Sequence, residues 1–160
     1  MVAMNYYVLL ICFLVGLDQV IKILVRQFLT SSSYIEIIPN FIHLTYQENR
    51  GISFSMLSNL PSAIRVPLLS GISLIVIIGI MIYLYRKWES IPRIERWGYS
   101  LILSGALGNL IDRLFRSQVT DYMYFHFYEK GFFVNNLADD LISIGFVLLV
   151  WQSFFKKDST

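Results

Sequence analysis

Charged residues are scarce in this 160-residue chain, and their scarcity excludes most soluble classes of protein. Only 15% of the residues are charged and 56% are hydrophobic. Soluble domains average roughly 25% charged and roughly 45–50% apolar residues. A chain this short has too little interior to hide so much apolar surface. The composition therefore predicts an α-helical polytopic membrane protein, with residues 1–160 forming a single membrane-embedded domain.

Cysteine, histidine and clustered basic residues are also nearly absent, and each absence removes a kind of chemistry. Cys12 is the only cysteine, so the chain has no intrachain disulfide and no CxxC motif. His43 and His126 stand alone in separate segments without metal-ligand spacing, so we expect no metal site. The net charge of +2 comes without a Lys/Arg run, so we expect no nucleic-acid partner.

Long apolar runs dominate the rest of the chain. The clearest, residues 66–85, has 20 residues without a charge, enough to cross a hydrocarbon core of roughly 30 Å as a helix. The first run is expected to be a retained helix, because the start MVAMNYY lacks the basic region of a signal peptide. We predict four transmembrane helices, at about 6–26, 64–86, 96–115 and 138–156.

Lysine and arginine are distributed unevenly between the connections, and this predicts the orientation. Four of them lie between the second and third helices and two follow the last helix: Arg86, Lys87, Arg93, Arg96, Lys156 and Lys157. The positive-inside rule places this connection and both termini in the cytoplasm. Segments 27–63 and 116–137 are then expected outside.

The two outer segments carry different signals. Residues 34–38 and 41–46 mix β-branched and aromatic side chains on either side of a Pro39-Asn40 turn. This pattern predicts a small extracytoplasmic β element, an antiparallel sheet followed by a loop at 49–51. Residues 122–133 contain seven Tyr or Phe side chains, and we expect most of these rings to anchor in the headgroup region.

Four carboxylates lie inside or at the ends of apolar runs, where a charge costs a few kcal/mol or more. They are Asp18, Asp112, Asp139 and Asp140. On the predicted topology three of them, Asp18, Asp112 and Asp139, lie ~20–24 Å from the cytoplasmic helix ends, at about 1.5 Å per residue. Asp121 follows the third helix closely enough to return to that level. The sequence therefore predicts a polar cluster near the outer face of the membrane.

Each carboxylate also has a purely structural interpretation, as half of an ion pair or as a helix cap. The pairs available are Asp18 with Lys22 and Asp112 with Arg113 or Arg116, and the candidate caps are Asp139 and Asp140. A shared depth favours one common site over several separate structural roles.

Five short strings connect these acids to a known family. They are DQVIK at 18–22, NRGISF at 49–54, GALGNLIDR at 105–113, VTDY at 119–122 and NLAD at 136–139. In this order, on four helices and two outer segments, they resemble the bacterial lipoprotein signal peptidases (signal peptidase II) over nearly the whole chain. GALGNLIDR is the most specific string, and Asn-x-Ala-Asp at the start of the last helix is the next.

The resemblance implies an intramembrane aspartyl endopeptidase of the bacterial cytoplasmic (inner) membrane, with its active site near the outer face. Such enzymes remove signal peptides from diacylglyceryl-modified prolipoproteins, cutting before the lipidated cysteine. The implied catalytic pair is Asp121 and Asp139, with no metal or organic cofactor. Implied substrate-binding or supporting residues are Asp18, Lys22, Asn49, Gly51, Asn109, Asp112, Arg113 and Asn136. The implied partners are lipid-modified prolipoproteins, membrane lipid and globomycin-type inhibitors.

The chain departs from the family pattern around these motifs. Ile21 replaces the usual Thr, Ile52-Ser53 replaces Ala-Ala, Asn135 replaces Phe, Tyr122-Met123-Tyr124 replaces Phe-Ile-Asp, and Asp140 is an additional acid. None of these differences removes a proposed catalytic residue, so they bear on the shape of the substrate groove.

Two neighbouring carboxylates are suited to peptide hydrolysis because they share one proton rather than both ionising. The ionised member takes a proton from water, and the protonated member donates to the scissile carbonyl oxygen. The asparagines can bond peptide carbonyls or hold the aspartates, and Gly51 allows a loop to approach a bound chain closely. Arg113 and Asp112 are expected to form a structural pair.

Other functions fit the sequence less well. A small transporter or proton relay would place ionisable groups along its depth, but residues 66–85 contain no Asp, Glu, Lys or Arg. A Ser–Lys dyad of Lys22 with Ser53 or Ser55 lacks a nucleophile motif. A non-enzymatic scaffold leaves the Asn, Asp and Arg strings unexplained.

Overall fold

A computed structural model describes residues 2–51, 57 and 59–155 of the chain. Within these ranges it has four helices and four strands. The helices are α1 (Val2–Phe28), α2 (Ser62–Lys87), α3 (Arg93–Arg116) and α4 (Leu137–Phe155), and the strands are β1 (Ile35–Ile38), β2 (Ile42–Asn49), β3 (Val119–Phe127) and β4 (Lys130–Asn135). All four predicted helices are present, each with ends within a few residues of the predicted ones.

Three of the helices in the described part of the chain are long and apolar enough to cross a membrane: Met4–Phe28, Ser62–Lys87 and Leu137–Phe155. The third helix, α3, is not among them, since it is less apolar along its length and carries six charged residues, most of them near its ends. The prediction of four transmembrane helices is therefore confirmed by length and composition for α1, α2 and α4, and it stays a prediction for α3. Its surroundings explain the difference, since α3 packs against α1, α2 and α4 and buries polar side chains such as Ser100, Ser104 and Asn109 against protein.

Small residues let α3 and α4 approach each other closely. A Cβ atom added to Gly105 would overlap the carbonyl oxygen of Ala138 in the first turn of α4. Nearer the N-terminal end of α3, a Cβ on Gly145 of α4 would come 2.5 Å from the carbonyl oxygen of Gly98. Backbone contact of this kind is how helices associate in lipid, where apolar side chains gain little by leaving the solvent.

The hydrophobic core follows the same helix bundle. Its largest cluster joins α1, α2 and α3 around the buried side chains of Tyr7, Ile77, Leu84, Trp88, Ile91, Leu103 and Leu110. A smaller cluster, Val25, Leu29 and Tyr122, ties the C-terminal end of α1 to strand β3. Most of the outward surface of α1, α2 and α4 is apolar and exposed, as expected for helices that face lipid.

The outer segments meet in one antiparallel sheet of order β1-β2-β3-β4. The predicted hairpin is confirmed: Phe41 N–H donates to the Ile38 carbonyl (3.0 Å) across a turn in which Asn40 has φ 59°. The aromatic segment 122–133 forms most of β3 and β4, two strands that were not predicted, and the anchoring of most of its rings in the headgroup region stays a prediction. Aromatic residues have high strand propensity, and β3 pairs with β2 over residues from both outer segments.

The close α3–α4 contact generates a prediction. We expect Gly105→Ala to destabilise the protein by about 1–3 kcal/mol, the usual effect of overpacking, because the new methyl group meets backbone that cannot rotate away. The melting temperature of the purified protein in detergent measures this. Gly79→Ala in α2 is the control, because a Cβ there has no neighbour within 4 Å, and an equal effect of both substitutions would contradict the prediction.

Candidate active site

Two carboxylates from different elements share one amide donor. Asp121 is the third residue of β3, and Asp139 lies in the first turn of α4. The side-chain nitrogen of Asn136 donates to Asp121 Oδ1 (2.6 Å) and to Asp139 Oδ2 (3.1 Å). The facing oxygens of the two aspartates are thus within hydrogen-bond reach of the same nitrogen atom.

The outer oxygens of the pair are held by two further asparagines. Asn49 Nδ2 donates to Asp121 Oδ2 (2.9 Å) from the end of β2. Asn109 Nδ2 donates to Asp139 Oδ1 (2.7 Å) from α3. Every oxygen of both carboxylates therefore accepts a bond from an amide, and four separate elements of the chain fix their positions.

Asn136 has a second role as the cap of α4. Its Oδ1 accepts from the backbone N–H of Asp139 (3.1 Å), the bond that an N-cap residue makes to the third helical position. The alternative in which Asp139 or Asp140 caps the helix is therefore wrong. Because the cap is supplied by Asn136, Asp139 is free to face Asp121, and Asp140 accepts from Asn135 Nδ2 (2.5 Å) instead.

The environment of Asp121 favours its protonated form. The residue is 3% exposed. Burial, reinforced by the charge of Asp139, raises the pKa of Asp121 to about 6, although the amide bonds from Asn136 and Asn49 act in the opposite direction. Two carboxylates in such a setting hold a shared proton up to that pH.

A buried ion cluster lies directly behind the pair. The ammonium of Lys22 is 2.8 Å from Asp18 Oδ2 and 3.2 Å from Asp112 Oδ2, and it donates to Asn109 Oδ1 (3.0 Å). The side chains of Lys22 and Asp18 are fully buried and that of Asp112 is 1% exposed. The predicted pairing of Asp18 with Lys22 is confirmed.

The ion cluster holds the backbone on which the carboxylate pair stands. Asp18 Oδ1 accepts from the N–H of Ala138 (3.1 Å), the residue before Asp139. Asp112 Oδ2 accepts from the N–H of Thr120 (3.2 Å), the residue before Asp121. Asp18 therefore fixes the backbone just before Asp139, and Asp112 fixes the backbone just before Asp121.

The predicted pairing of Asp112 with Arg113 is wrong. Asp112 pairs with Lys22 and, at 3.9 Å, with Arg26. Arg113 Nη2 instead donates to the carbonyl of Gly51 (3.4 Å) and holds the end of the β2 loop near the site. Consecutive residues of a helix point about 100° apart and do not face each other, which is the physical reason.

Of the candidate residues in the loop after β2, the structure describes Gly51 but not those that follow it. Gly51 N–H donates to Asn49 Oδ1 (2.9 Å), so this loop folds back on the asparagine that holds Asp121. Ile52, Ser53 and Ser55 lie outside the described residues. Lys22, the other half of the Ser–Lys alternative, is already engaged by two carboxylates and by Asn109.

Four side chains that support the site were missed by the sequence analysis: Gln19, Arg26, Thr120 and Tyr122. Gln19 Nε2 donates to the Gly108 carbonyl (3.1 Å), and Arg26 Nη1 donates to Thr120 Oγ1 (3.0 Å). The hydroxyl of Tyr122 accepts from the N–H of Leu137 (3.1 Å). Three of the four lie inside or beside the motif strings, and that proximity was the available signal.

A groove of about 920 Å³ opens beside the carboxylate pair. Its apolar part is lined by α2, α3 and α4, through Ile72, Val76, Ile102, Ala106 and Ile142. Its polar part lies at the sheet and includes Asn49, Asn109, Arg113, Asp121, Asn135 and Asp139. The arrangement accommodates an extended or helical apolar chain whose polar end reaches the two aspartates.

Comparison with known proteins places the chain among membrane proteases. A family described as Peptidase_A8, Signal peptidase (SPase) II, matches residues 10–155. The lipoprotein signal peptidase of Fusobacterium nucleatum is 34% identical over 93% of this chain and 86% of its own length. That of Clostridium novyi is 37% identical over 89% and 93%. A solved bacterial membrane enzyme superposes with a TM-score of 0.82 at 27% identity, covering 98% of this chain and 94% of its own.

The ion cluster generates a prediction about stability. Lys22→Met removes the ammonium and leaves two buried carboxylates facing each other, so we expect a loss on the order of 3–5 kcal/mol. Thermal unfolding in detergent measures it, with Lys130→Met on the exposed sheet as the matched control. Adding Asp18→Asn to Lys22→Met should recover part of the loss. A Lys22→Met protein as stable as the control would show that the cluster is not required.

Proposed function

This chain belongs to the signal peptidase II family, and from that membership we propose how its buried carboxylates act. The protein is a membrane protease that removes signal peptides from prolipoproteins. We propose that it is an aspartyl endopeptidase in which Asp121 and Asp139 are the catalytic pair. The observation that carries the proposal is the pair of hydrogen bonds that the side-chain nitrogen of Asn136 donates, one to each aspartate. They hold the two carboxylates together at the end of the groove.

The proposed mechanism needs one proton on the pair. With the pKa of Asp121 raised to about 6, Asp121 keeps the proton beside an ionised Asp139. Asp139 takes a proton from water, which attacks the scissile carbonyl, while Asp121 donates its proton to the carbonyl oxygen. Collapse of the tetrahedral intermediate breaks the C–N bond: the amine leaves with the proton that Asp139 received, and a hydroxyl proton of the intermediate returns to Asp121. The three asparagines keep both carboxylates oriented throughout.

The groove supports a specific path for the substrate. Aliphatic side chains of α2, α3 and α4 line its deep part, which suits the apolar helix of a signal peptide. The polar end then receives the peptide bond next to the diacylglyceryl-modified cysteine. Arg113 and the amides of Asn49 and Asn109 lie where peptide carbonyls would pass. A globomycin-type cyclic peptide is expected to compete for the same groove.

The two aspartates generate the first functional prediction. Asp121→Asn and Asp139→Asn should each lower the cleavage rate by at least about 10²–10⁴-fold, because an amide keeps the shape but cannot shuttle a proton. Cleavage of a lipidated precursor peptide by purified enzyme is the measurement. Asp140→Asn is the matched control and should keep substantial activity, since Asp140 bonds to Asn135 and not to the pair. An inactive Asp140→Asn with an active Asp139→Asn would mean that Asp140 is the catalytic residue.

The lipid on the cysteine should be required for efficient cleavage. Each buried CH₂ contributes about 0.8 kcal/mol, so two acyl chains hold the cysteine at headgroup depth. This anchoring places the scissile bond at the level of the pair and turns binding energy into orientation. We expect kcat/KM to fall by about 10²-fold or more for the same precursor without lipid, measured in one bilayer preparation. Equal values for both forms would refute the positioning role of the lipid.

We further propose that α3 is a fourth membrane span and that both termini are cytoplasmic, in the bacterial cytoplasmic membrane. The 24 residues of α3 extend about 36 Å, the length of a span, and its polar residues face the other helices rather than lipid. The basic connection 86–97 lies at the end of the bundle opposite the sheet, as the positive-inside rule requires. The active site then lies near the outer face.

Reporter fusions test this orientation. A reporter that works only in the cytoplasm should be active after Thr160 and within the connection 86–97, because an even number of spans returns the chain to the same side. The same reporter inserted between Thr30 and Ser33 should be inactive. Activity at the outer insertion and none at the C-terminus would invert the proposed topology.

A further inference from the structure

The only two histidines of the chain lie against each other on adjacent strands of the outer sheet. His43 is on β2 and His126 is on β3, and their ring centroids are 4.7 Å apart. The ring of Tyr124 packs on both, 4.6 Å from His43 and 5.3 Å from His126, stacked on the latter at 14°. The three rings form one cluster, referred to below as the histidine–tyrosine stack.

His126 is buried and bonds through one of its two ring nitrogens. It is 8% exposed, and its Nδ1 donates to the carbonyl of Tyr128 (2.8 Å), since a carbonyl oxygen only accepts. The other ring nitrogen, Nε2, is buried and has no hydrogen-bond partner among the described residues. The His126 ring is therefore enclosed by protein, with the ring of His43 against it.

The groups around the pair act on His43 in opposite directions. Burial and the neighbouring His126 lower the pKa of His43, while Glu36, its cross-strand partner on β1, acts against this shift. Tyr34 packs on His43 at 5.0 Å, and strand β4 presents Gly131 opposite His126. Two imidazolium ions at this distance would repel each other within a largely apolar sheet.

The stack is connected to the catalytic groove through Tyr124. Tyr124 lines the groove together with Asp121, three residues earlier on β3, and with Gly131. Its hydroxyl lies over Gly131 so closely that a Cβ there would overlap it. The ring is therefore confined between Gly131 and the two imidazoles, and any separation of the imidazoles moves the wall of the groove.

Resting on the proposed function, we propose that His43 and His126 are positioning residues for substrate binding. While both rings are neutral, they hold Tyr124 in place as part of the groove wall. When acid charges them, their repulsion displaces Tyr124 and weakens binding of the precursor. The pKa of His43 is lowered from 6.5, so the native state binds fewer protons at this residue than the unfolded chain does. The stabilising contact of the neutral rings is therefore present at neutral pH and is lost as the pH falls below 6.5.

Histidine titration tests the coupling without any activity assay. The full-length protein labelled with ¹³C,¹⁵N-histidine gives only two sets of ring signals. We expect His126→Phe to raise the titration midpoint of His43, because it removes the facing charge, and Glu36→Gln to lower it. The second variant is on an exposed residue of the edge strand and does not depend on the buried site. A His43 midpoint that neither substitution moves would overturn the proposal.

Kinetics then test the link to the substrate. KM for a lipidated precursor should rise about tenfold in wild type between pH 7.5 and pH 5.5, within the usual range of a coupling between two sites, and stay flat in His43→Phe. A change in kcat alone belongs to the aspartate pair and not to the stack. The same rise of KM in both proteins would overturn the inference and leave the proposed function intact. No cleavage by wild type at any pH would instead refute the proposed function, and the titration would still decide the histidine coupling.

Discussion

The rest of the site depends on the two ion pairs that the ammonium of Lys22 makes. This ammonium lies between the carboxylates of Asp18 and Asp112, with all three groups removed from solvent. Each carboxylate uses its other bonding capacity on a backbone N–H, at Ala138 and at Thr120. These are the residues immediately before Asp139 and Asp121, so one buried cation sets the relative position of a helix start and a strand.

A cluster of this kind is an unusual source of order because isolated buried charges are strongly unfavourable. Here Lys22 and Arg26 stand against the two carboxylates, and Asn109 and Gln19 add hydrogen bonds to Lys22 and Asp18. The geometry also requires space, and Gly108 supplies it: a Cβ there would come 2.6 Å from Asp18 Oδ2. Close helix packing and the polar site are therefore two parts of one constraint, since α3 must approach α1 and α4 for the charges to meet.

The same constraint accounts for the composition of α3. A helix that faces lipid must be apolar, and α1, α2 and α4 are. A helix surrounded by other helices can carry Ser100, Ser104, Asn109 and Asp112 on buried faces, provided that each finds a partner or a tight contact. Hydropathy alone therefore does not pick out α3 as a span. Its motif residues nevertheless identify it as a helix that contributes to the site.

Much of this protein was determined by the sequence itself. The apolar runs predicted four helices close to their observed ends. The β-branched and aromatic residues on either side of Pro39-Asn40 predicted the first hairpin. Both predictions depend on local patterns. The i, i+4 spacing of Asp18 and Lys22 was enough to predict their ion pair. The ordered motif strings assembled the family resemblance and the set of candidate residues without any structural information.

Only the tertiary structure decided which of these residues meet. Asp112 stands next to Arg113 in sequence, yet its partners are Lys22 and Arg26 from another helix. Strands β3 and β4 were not predicted, because β3 pairs with the distant β2, as Asn49 and Val119 illustrate, and β4 then pairs with β3. The bridge from Asn136 to both aspartates and the contact of His43 with His126 likewise join separate elements. Sequence spacing describes neighbours along one helix or strand, whereas contacts between elements depend on how the whole chain packs.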